Sequence, residues 1–207
     1  SDKSIAEQII VPYLKAKGIK KLDYVINTHG DMDHIGSIDE LIIMYKVNNV
    51  ILNSGNINNN EKYLINILNK KKIKYYHYSE NILSINGYKL YFINDIDPNN
   101  ENEDSLIIYT KINNHKILLM GDAGYESEEY ITSKYDLSNI DILKVGHHGS
   151  KYSTSRSFID IINPKYAIIS VGENNKFGHP SKEVLDILSN SIIYRTDKDN
   201  DITIYLY

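Results

Sequence analysis

The apolar residues of this chain recur at two spacings, which predict short strands and amphipathic helices. Between Ser4 and Lys17 they follow helical spacing, and Gly18 provides a stop signal. Between Asp23 and Asn27 they form a short continuous run, as in a buried strand. By these criteria helices are predicted over 4–17, 35–45, 61–71, 155–162 and 181–188, and strands over 23–27, 50–52, 75–78, 82–85, 88–93, 106–109, 116–120, 140–145, 166–171, 192–194 and 202–205.

The order of these elements predicts an α/β fold. Asn86-Gly87 and Asn113-Asn114 each lie between two predicted strands, and Asn-Gly at such a place is a strong hairpin signal. Further along, strands alternate with helices, which favours sheets covered by helices on their outer faces. The segments 56–60 and 94–104 are predicted to be surface loops and not domain boundaries. We therefore expect one domain over residues 1–207.

A cluster of metal donors lies in the segment between the predicted strand 23–27 and the helix that follows it. Two imidazoles and two carboxylates, those of His29, Asp31, Asp33 and His34, lie within six residues. In an extended loop His29 and Asp31 face one side, while Asp33 and His34 must diverge, and this arrangement suits two cations better than one. Without a cation the carboxylates would repel each other. The alternative is a solvated acidic turn with incidental histidines.

Three further candidate positions follow predicted strands. Asp122 comes after the strand 116–120; it is either a turn former or a carboxylate that bridges two cations. His147 and His148 lie between two glycines after the strand 140–145, and two adjacent imidazoles there are difficult to explain by packing alone. His179 follows the strand 166–171 at a longer distance and is either a loop histidine or a part of the same site.

Composition narrows the classes of protein. The 207 residues suffice for a substantial core, and the formal net charge of -4 argues against bulk electrostatic attraction to nucleic acid without excluding a nucleic-acid substrate. The chain has no cysteine, which excludes disulfides, thiolate ligands and a cysteine nucleophile. It has no apolar run of membrane-spanning length and no signal-peptide pattern. We expect a soluble, cytoplasmic chain.

Taken in order, the motifs resemble a known family. They read His-x-Asp-x-Asp-His, Leu-Leu-Met-Gly-Asp, Leu-Lys-Val-Gly-His-His-Gly-Ser, Phe-Gly-His-Pro-Ser and Tyr-Arg-Thr-Asp. This series resembles the metallo-β-lactamase-fold domain of the ComEC competence proteins and their soluble relatives, from about Pro12 to the C-terminus. The resemblance implies an αββα sandwich of two mixed sheets with helices on the outer faces. It also implies that strands which open the family's domain are missing from this chain.

The resemblance further implies a two-metal hydrolytic site. By position, His29 and Asp31 would bind one ion and Asp33 and His34 the other. Asp122 would lie between the ions, and a histidine of the adjacent pair, with His147 favoured over His148, would complete the site. The residues expected to face the substrate or act on it are Asp33, His148 and His179, and Asp104 with Ser105 matches a further polar position of the family.

The function implied is metal-dependent hydrolysis. Asp31 stands where many members carry histidine, and a carboxylate shifts preference from zinc toward manganese or magnesium without excluding zinc. Metal-bound water, positioned by Asp33, would attack phosphorus or a carbonyl carbon. We expect a phosphodiesterase that uses two divalent ions, zinc or manganese. Its most specific version is a nuclease that acts on DNA. The alternatives are a lactone or thioester hydrolase on the same fold and an inactive metal-binding interaction module, for which the 18 tyrosines would provide a surface.

Overall fold

The computed structural model describes residues 4–94 and 100–207. The chain divides into two compact units, Ser1–Tyr78 and Ser79–Tyr207, which are described separately. The single domain over residues 1–207 stays a prediction.

Within residues 4–78 of the first unit, three parallel strands form a sheet in the order β1-β2-β3. A single π-helical turn over Ala6–Ile10 precedes the first α-helix. The elements in chain order are α1 (Val11–Ala16), β1 (Leu22–Ile26), α2 (Met32–Ile35), α3 (Ile38–Met44), β2 (Val47–Asn53), α4 (Asn59–Lys71) and β3 (Lys74–Tyr78).

Local sequence explains the longest helix of this unit. Asn58 accepts hydrogen bonds from the backbone N–H groups of Asn60 and Glu61, and the Glu61 carboxylate accepts one from the Asn58 N–H. This reciprocal cap fixes the start of α4. The helix ends at Lys72, whose backbone is left-handed. Its apolar side packs into a core whose most buried members are Val50, Leu52, Leu64 and Leu68.

Within residues 79–94 and 100–207 of the second unit, seven strands form a mixed sheet. The spatial order is β10-β9-β8-β7-β6-β5-β4; the pairs from β4 to β7 are antiparallel, and those from β7 to β10 are parallel. The strands are β4 (Ile82–Ile85), β5 (Tyr88–Phe92), β6 (Ile108–Ile112), β7 (His115–Leu119), β8 (Ile142–Lys144), β9 (Tyr166–Ile169) and β10 (Ile192–Arg195), and the helices are α5 (Tyr125–Lys134), α6 (Arg156–Ile162), α7 (Lys182–Ile187) and α8 (Thr196–Asp199).

A turn that the sequence predicted and two serine caps position these elements. Asn86 and Gly87 both have positive φ and connect β4 to β5, which is the backbone that a two-residue hairpin requires. Ser155 and Ser181 each accept a hydrogen bond from a backbone N–H in the first turn of α6 and of α7. The core of this unit is large and includes the fully buried Leu118, Met120, Leu143 and Ile169.

Several predictions from the sequence were wrong in detail. The helix predicted over 35–45 is divided by Gly36 and Ser37 into α2 and α3. Residues 202–205 form no strand, and helices α5 and α8 were not predicted. The sheet of the first unit is parallel in its described strands and not mixed.

The segment predicted as a surface loop over 94–104 is also different from the prediction. Asn94, Glu103 and Asp104 are buried, while residues 95–99 lie outside the described part of the chain. The Glu103 carboxylate accepts hydrogen bonds from the backbone of Gly124 and Ser127 at the start of α5. This part of the segment therefore caps a helix from inside the unit.

The helices within the described residues are each too short or too polar to span a membrane.

Candidate metal centre

The histidine and aspartate motif of the first unit lies in the loop between β1 and α2. The buried Asn27 fixes the start of this loop, because its backbone N–H donates to Ile51 and its side-chain amide donates to the His29 carbonyl at 2.7 Å. The Asn60 amide donates to the Gly30 carbonyl at 2.9 Å. These hydrogen bonds hold irregular backbone in one conformation, as a site of converging side chains requires.

Thr28 contacts both imidazoles of the motif. Its hydroxyl oxygen lies 3.0 Å from Nδ1 of His29 and 3.0 Å from Nδ1 of His34, and the centroids of the two rings are 4.2 Å apart. When this oxygen accepts from both Nδ1–H groups, both Nε2 atoms carry lone pairs. A hydrogen bond at one ring nitrogen that leaves the other as a ligand is the usual arrangement for metal-binding histidine.

Carboxylates lie near these imidazoles. Nε2 of the fully buried His29 is 3.7 Å from a carboxylate oxygen of Asp31. One ligand atom of Asp33 and one of His34 lie within 4.8 Å of each other. The first unit thus presents two pairs of nitrogen and oxygen donors, and this donor set suits a divalent metal ion.

In the second unit, Asp122 follows β7 after Met120 and Gly121, and Gly121 has positive φ. Asp122 is buried, and its backbone N–H donates to the Ser105 hydroxyl at 3.0 Å. Ser105, which matches a polar position of the family that the motifs resemble, therefore holds the Asp122 backbone in place.

The adjacent histidines lie in the tight turn Gly146–Gly149. His147 and His148 have φ values of 44° and 53°, so two consecutive non-glycine residues are left-handed, a conformation that surrounding structure must stabilise. A Cβ at Gly146 would lie 2.7 Å from the Ala123 carbonyl oxygen, and one at Gly149 would lie 2.6 Å from Pro180. Both flanking positions therefore require glycine.

His148 is held at one ring nitrogen and faces a carboxylate with the other. Its Nδ1 lies 2.7 Å from the Ser170 carbonyl oxygen, and its Nε2 lies 3.4 Å from a carboxylate oxygen of Asp122. Because a carbonyl oxygen only accepts, Nδ1 carries a proton. The Nε2 lone pair and the carboxylate oxygen would then repel each other, so either a second proton or a cation must lie between them. The hydrogen bond to Asp122 raises the pKa of His148, against the opposing effect of burial. This pair is therefore suited to a metal ion.

His147 has different neighbours. Its ring centroid lies 5.8 Å from that of His179, and both rings line a cavity of about 420 Å³. Burial lowers the pKa of His179, and the neighbouring histidines add to the effect. The structure thus brings His148 to Asp122 and His147 to His179, although the sequence favoured His147 as the ligand; which of the two binds a metal stays a prediction.

Lys144 is a residue of the site that was not predicted from the sequence. Its Nζ donates to the carbonyl of Val145 at 3.0 Å and to that of Gly121 at 3.4 Å. Burial lowers the pKa of Lys144, while the negative charge of Asp122 opposes the shift. A single lysine within the apolar run 140–145 was the signal in the sequence.

Comparisons with known proteins agree with these features. The family model of the metallo-beta-lactamase superfamily matches residues 1–173. The chain is 33% identical to ComE operon protein 3 of Bacillus subtilis (strain 168) over 205 residues, which cover 96% of this chain and 26% of that protein. It is 28% identical to competence protein ComA of Neisseria gonorrhoeae over 187 residues, which cover 86% of this chain and 24% of that protein. The chain thus spans about a quarter of the length of these relatives.

A solved structure has the same fold. The metallo-beta-lactamase fold protein YhfI from Bacillus subtilis aligns with a TM-score of 0.62 and 14% identity, over 94% of this chain and 81% of that one. The resemblance found in the motifs and the fold class predicted from them are confirmed. The chain belongs to the metallo-beta-lactamase superfamily of metal-dependent hydrolases, and within it resembles the competence proteins.

Proposed function

We propose that the chain is a metal-dependent phosphodiesterase, and more specifically a nuclease that acts on DNA. One observation carries the proposal, and it recurs in both units. His29 and His148 each have Nδ1 within hydrogen-bond distance of a fixed oxygen, on Thr28 and Ser170, and each presents Nε2 to a carboxylate. This arrangement orients an imidazole for a metal ion.

The residues present fit a pair of divalent ions, manganese or zinc. The proposed ligands are His29, Asp31, Asp33, His34, Asp122 and one histidine of the adjacent pair. We place His148 in that role because it lies beside Asp122, whereas the motif order alone favoured His147. Bound ions of this kind supply Lewis acidity and an activated water.

The remaining polar groups have distinct roles in this proposal. Asp33 accepts a proton from the attacking water and orients it. His147 and His179 lie side by side and contact the departing oxygen, with a proton donated from a ring nitrogen. Because the pKa of His179 is lowered by burial, its protonated form is a stronger acid than free imidazolium. The Lys144 ammonium lies near Asp122 and offsets the charge of its carboxylate.

The class of substrate is inferred from the relatives and the donor set. One similar protein is named competence protein ComA, and we take this name as a pointer to DNA. The site of a decayed binding module would have lost donors, whereas each predicted donor here is present. A phosphodiester of DNA is therefore the substrate that we propose, and lactone or thioester hydrolysis is the alternative that the assay must separate.

The test measures hydrolysis of bis-p-nitrophenyl phosphate by metal-stripped protein that is refilled with manganese, magnesium or zinc. We expect release of nitrophenol with at least one metal and its loss in Asp33→Ala. Asp39→Ala, which removes a carboxylate of α3 outside the motif, is the matched control and should retain turnover. Hydrolysis of p-nitrophenyl butyrate alone, with no release from the diester, would overturn the proposal in favour of ester chemistry.

A further inference from the structure

The cavity beside His147 and His179 carries two aromatic side chains that the proposed function does not use. Tyr152 and Phe177 line this cavity of about 420 Å³ and are 64% and 70% exposed. The volume falls within the range of roughly 300 to 1,000 Å³ that is typical of ligand pockets. Two large solvent-exposed aromatic rings at the rim of a histidine-lined cavity indicate a surface that binds a planar group.

The backbone on both sides of the cavity is fixed. Tyr152 follows the turn that carries His147. The residue before it, Lys151, is held because its backbone carbonyl accepts a hydrogen bond from the Tyr125 hydroxyl. On the other side the Asn175 side chain accepts from the His179 N–H at 2.9 Å and donates to the His179 carbonyl at 2.7 Å. Each exposed ring therefore belongs to a held loop that also carries one of the two histidines.

A lysine lies beside each of the two exposed rings. The Nζ atom of Lys151 lies 5.1 Å from the Tyr152 ring centroid, and that of Lys176 lies 5.1 Å from the Phe177 centroid. Both lysines are exposed, so these cation–π contacts are weak and a phosphate can displace them. Among the described residues that line the cavity, none carries a carboxylate. An anionic ligand is therefore favoured over a cationic or a purely apolar one.

Stacking geometry already exists at one ring. Phe177 is stacked on the His179 imidazole, with centroids 5.8 Å apart and planes inclined by 18°. An aromatic platform beside lysines is the arrangement by which proteins bind single-stranded nucleic acid, since every unpaired base has a face to stack. A base within a duplex is already stacked on its neighbours and cannot use such a platform.

We propose that Tyr152 and Phe177 form a subsite for an unpaired base of a single-stranded nucleic acid, with Lys151 and Lys176 contacting the adjacent phosphates. The inference rests on the proposed function, because it assigns the neighbouring phosphodiester to the histidine site. It also defines the preferred substrate as a single strand. Duplex DNA lacks the free base that the subsite requires.

The test measures fluorescence anisotropy of a labelled single-stranded oligonucleotide with the full chain, in EDTA so that the strand stays intact. Tyr152→Ala and Phe177→Ala should each weaken binding by roughly 5-fold to 150-fold, the range that loss of one stacked base produces. Tyr152→Phe and Phe177→Tyr retain a ring and should bind like the wild type. Tyr205→Ala is the matched control, because Tyr205 is 71% exposed and does not line the cavity.

A second ligand separates stacking from charge. An abasic strand of the same length should bind the alanine variants and the wild type equally, since it has no base to stack. Equal affinity of wild type and both alanine variants for the normal strand would overturn the subsite, and so would equal losses for the normal and abasic strands. Hydrolysis of bis-p-nitrophenyl phosphate by the wild type is measured in parallel; its absence would overturn the proposed function and leaves the binding result to be judged separately.

Discussion

The Nδ1 atom of His148 lies 2.7 Å from the carbonyl oxygen of Ser170, at the end of β9. The next residue, Val171, is held by Thr196, whose hydroxyl accepts from the Val171 N–H at 2.7 Å and donates to its carbonyl at 2.8 Å. The position of the Ser170 carbonyl thus depends on Thr196 and determines which nitrogen of His148 is protonated. The Tyr-Arg-Thr-Asp motif, distant in sequence, therefore contributes to the orientation of a candidate ligand.

Replacing Thr196 tests this dependence. Thr196→Val keeps the shape of the side chain but removes both hydrogen bonds to Val171, and we expect manganese affinity to fall by about 10-fold, as for other residues that support a ligand. Thr196→Ser retains the hydroxyl and should bind manganese like the wild type. Competition with a fluorescent chelator measures the affinity. Equal affinity in the valine variant and the wild type would show that Ser170 is held without Thr196.

Replacing Thr28 tests the corresponding contact in the first unit. Thr28→Val removes the oxygen that lies 3.0 Å from Nδ1 of both His29 and His34. We expect metal affinity to fall by about 10-fold to 100-fold, because both imidazoles lose their orientation together. Thr28→Ser should restore most of the affinity. A serine variant as weak as the valine variant would indicate that the methyl group matters and the hydroxyl does not.

Asp122 allows a structural role to be separated from a catalytic one. Its contact with Ser105 uses the backbone N–H, so Asp122→Asn leaves that hydrogen bond intact while it removes the charge. We expect diester turnover to fall by at least about 100-fold, with an unchanged circular dichroism spectrum that shows a folded protein. Loss of folding together with activity would indicate that Asp122 is needed for the fold, through a structural metal or through its packing.

Glu128 makes the stability of the protein depend on pH. The buried carboxylate accepts hydrogen bonds from the backbone of Thr154 and Ser155, yet burial raises its pKa from 4.5 to about 7. In the unfolded chain its pKa returns to 4.5. The folded state therefore binds this proton more tightly than the unfolded chain does. The resulting stabilisation is complete below pH 4.5 and is lost as the pH rises to about 7. The free energy of unfolding should fall by on the order of 2 to 3 kcal/mol over this range.

Urea unfolding at pH 4.5 and pH 7.5 measures this dependence. In Glu128→Gln the side chain does not titrate, so the decrease in unfolding free energy between the two pH values should be smaller than in the wild type. Glu129→Gln, which changes the exposed neighbour on the same helix, should keep the wild-type decrease. An identical decrease in all three proteins would contradict the raised pKa of Glu128.

Much of the fold could be predicted because local signals agree with it. Asn86-Gly87 specifies its turn through backbone conformation alone, and Ser155 and Ser181 cap the helices that they precede. Helix α5 was missed because two of its three buried residues, Ser127 and Glu128, are polar and leave no apolar periodicity. The alternating residues 202–205 suggested a strand, but a strand also requires a partner, which the sequence alone does not identify.

The candidate donors were selected by residue type and spacing and stay predictions as ligands, whereas the contacts between them could not be predicted. His147 and His148 are adjacent, and only their left-handed backbone sends one ring to His179 and the other to Asp122. A spacing rule contains no such information. The hydrogen-bond partners of the imidazoles, the Thr28 hydroxyl and the Ser170 carbonyl, could not be predicted either, since neither group has a distinctive pattern in a sequence.

The central claim is that bound divalent ions and the donors of this chain together hydrolyse a phosphodiester. The most direct measurement is the rate of bis-p-nitrophenyl phosphate hydrolysis as manganese is added in known equivalents to metal-stripped protein. We predict no activity without metal and a rate that rises and saturates near two equivalents per chain. No hydrolysis at any equivalent of manganese, magnesium or zinc, from protein that demonstrably binds the ions, would contradict the account.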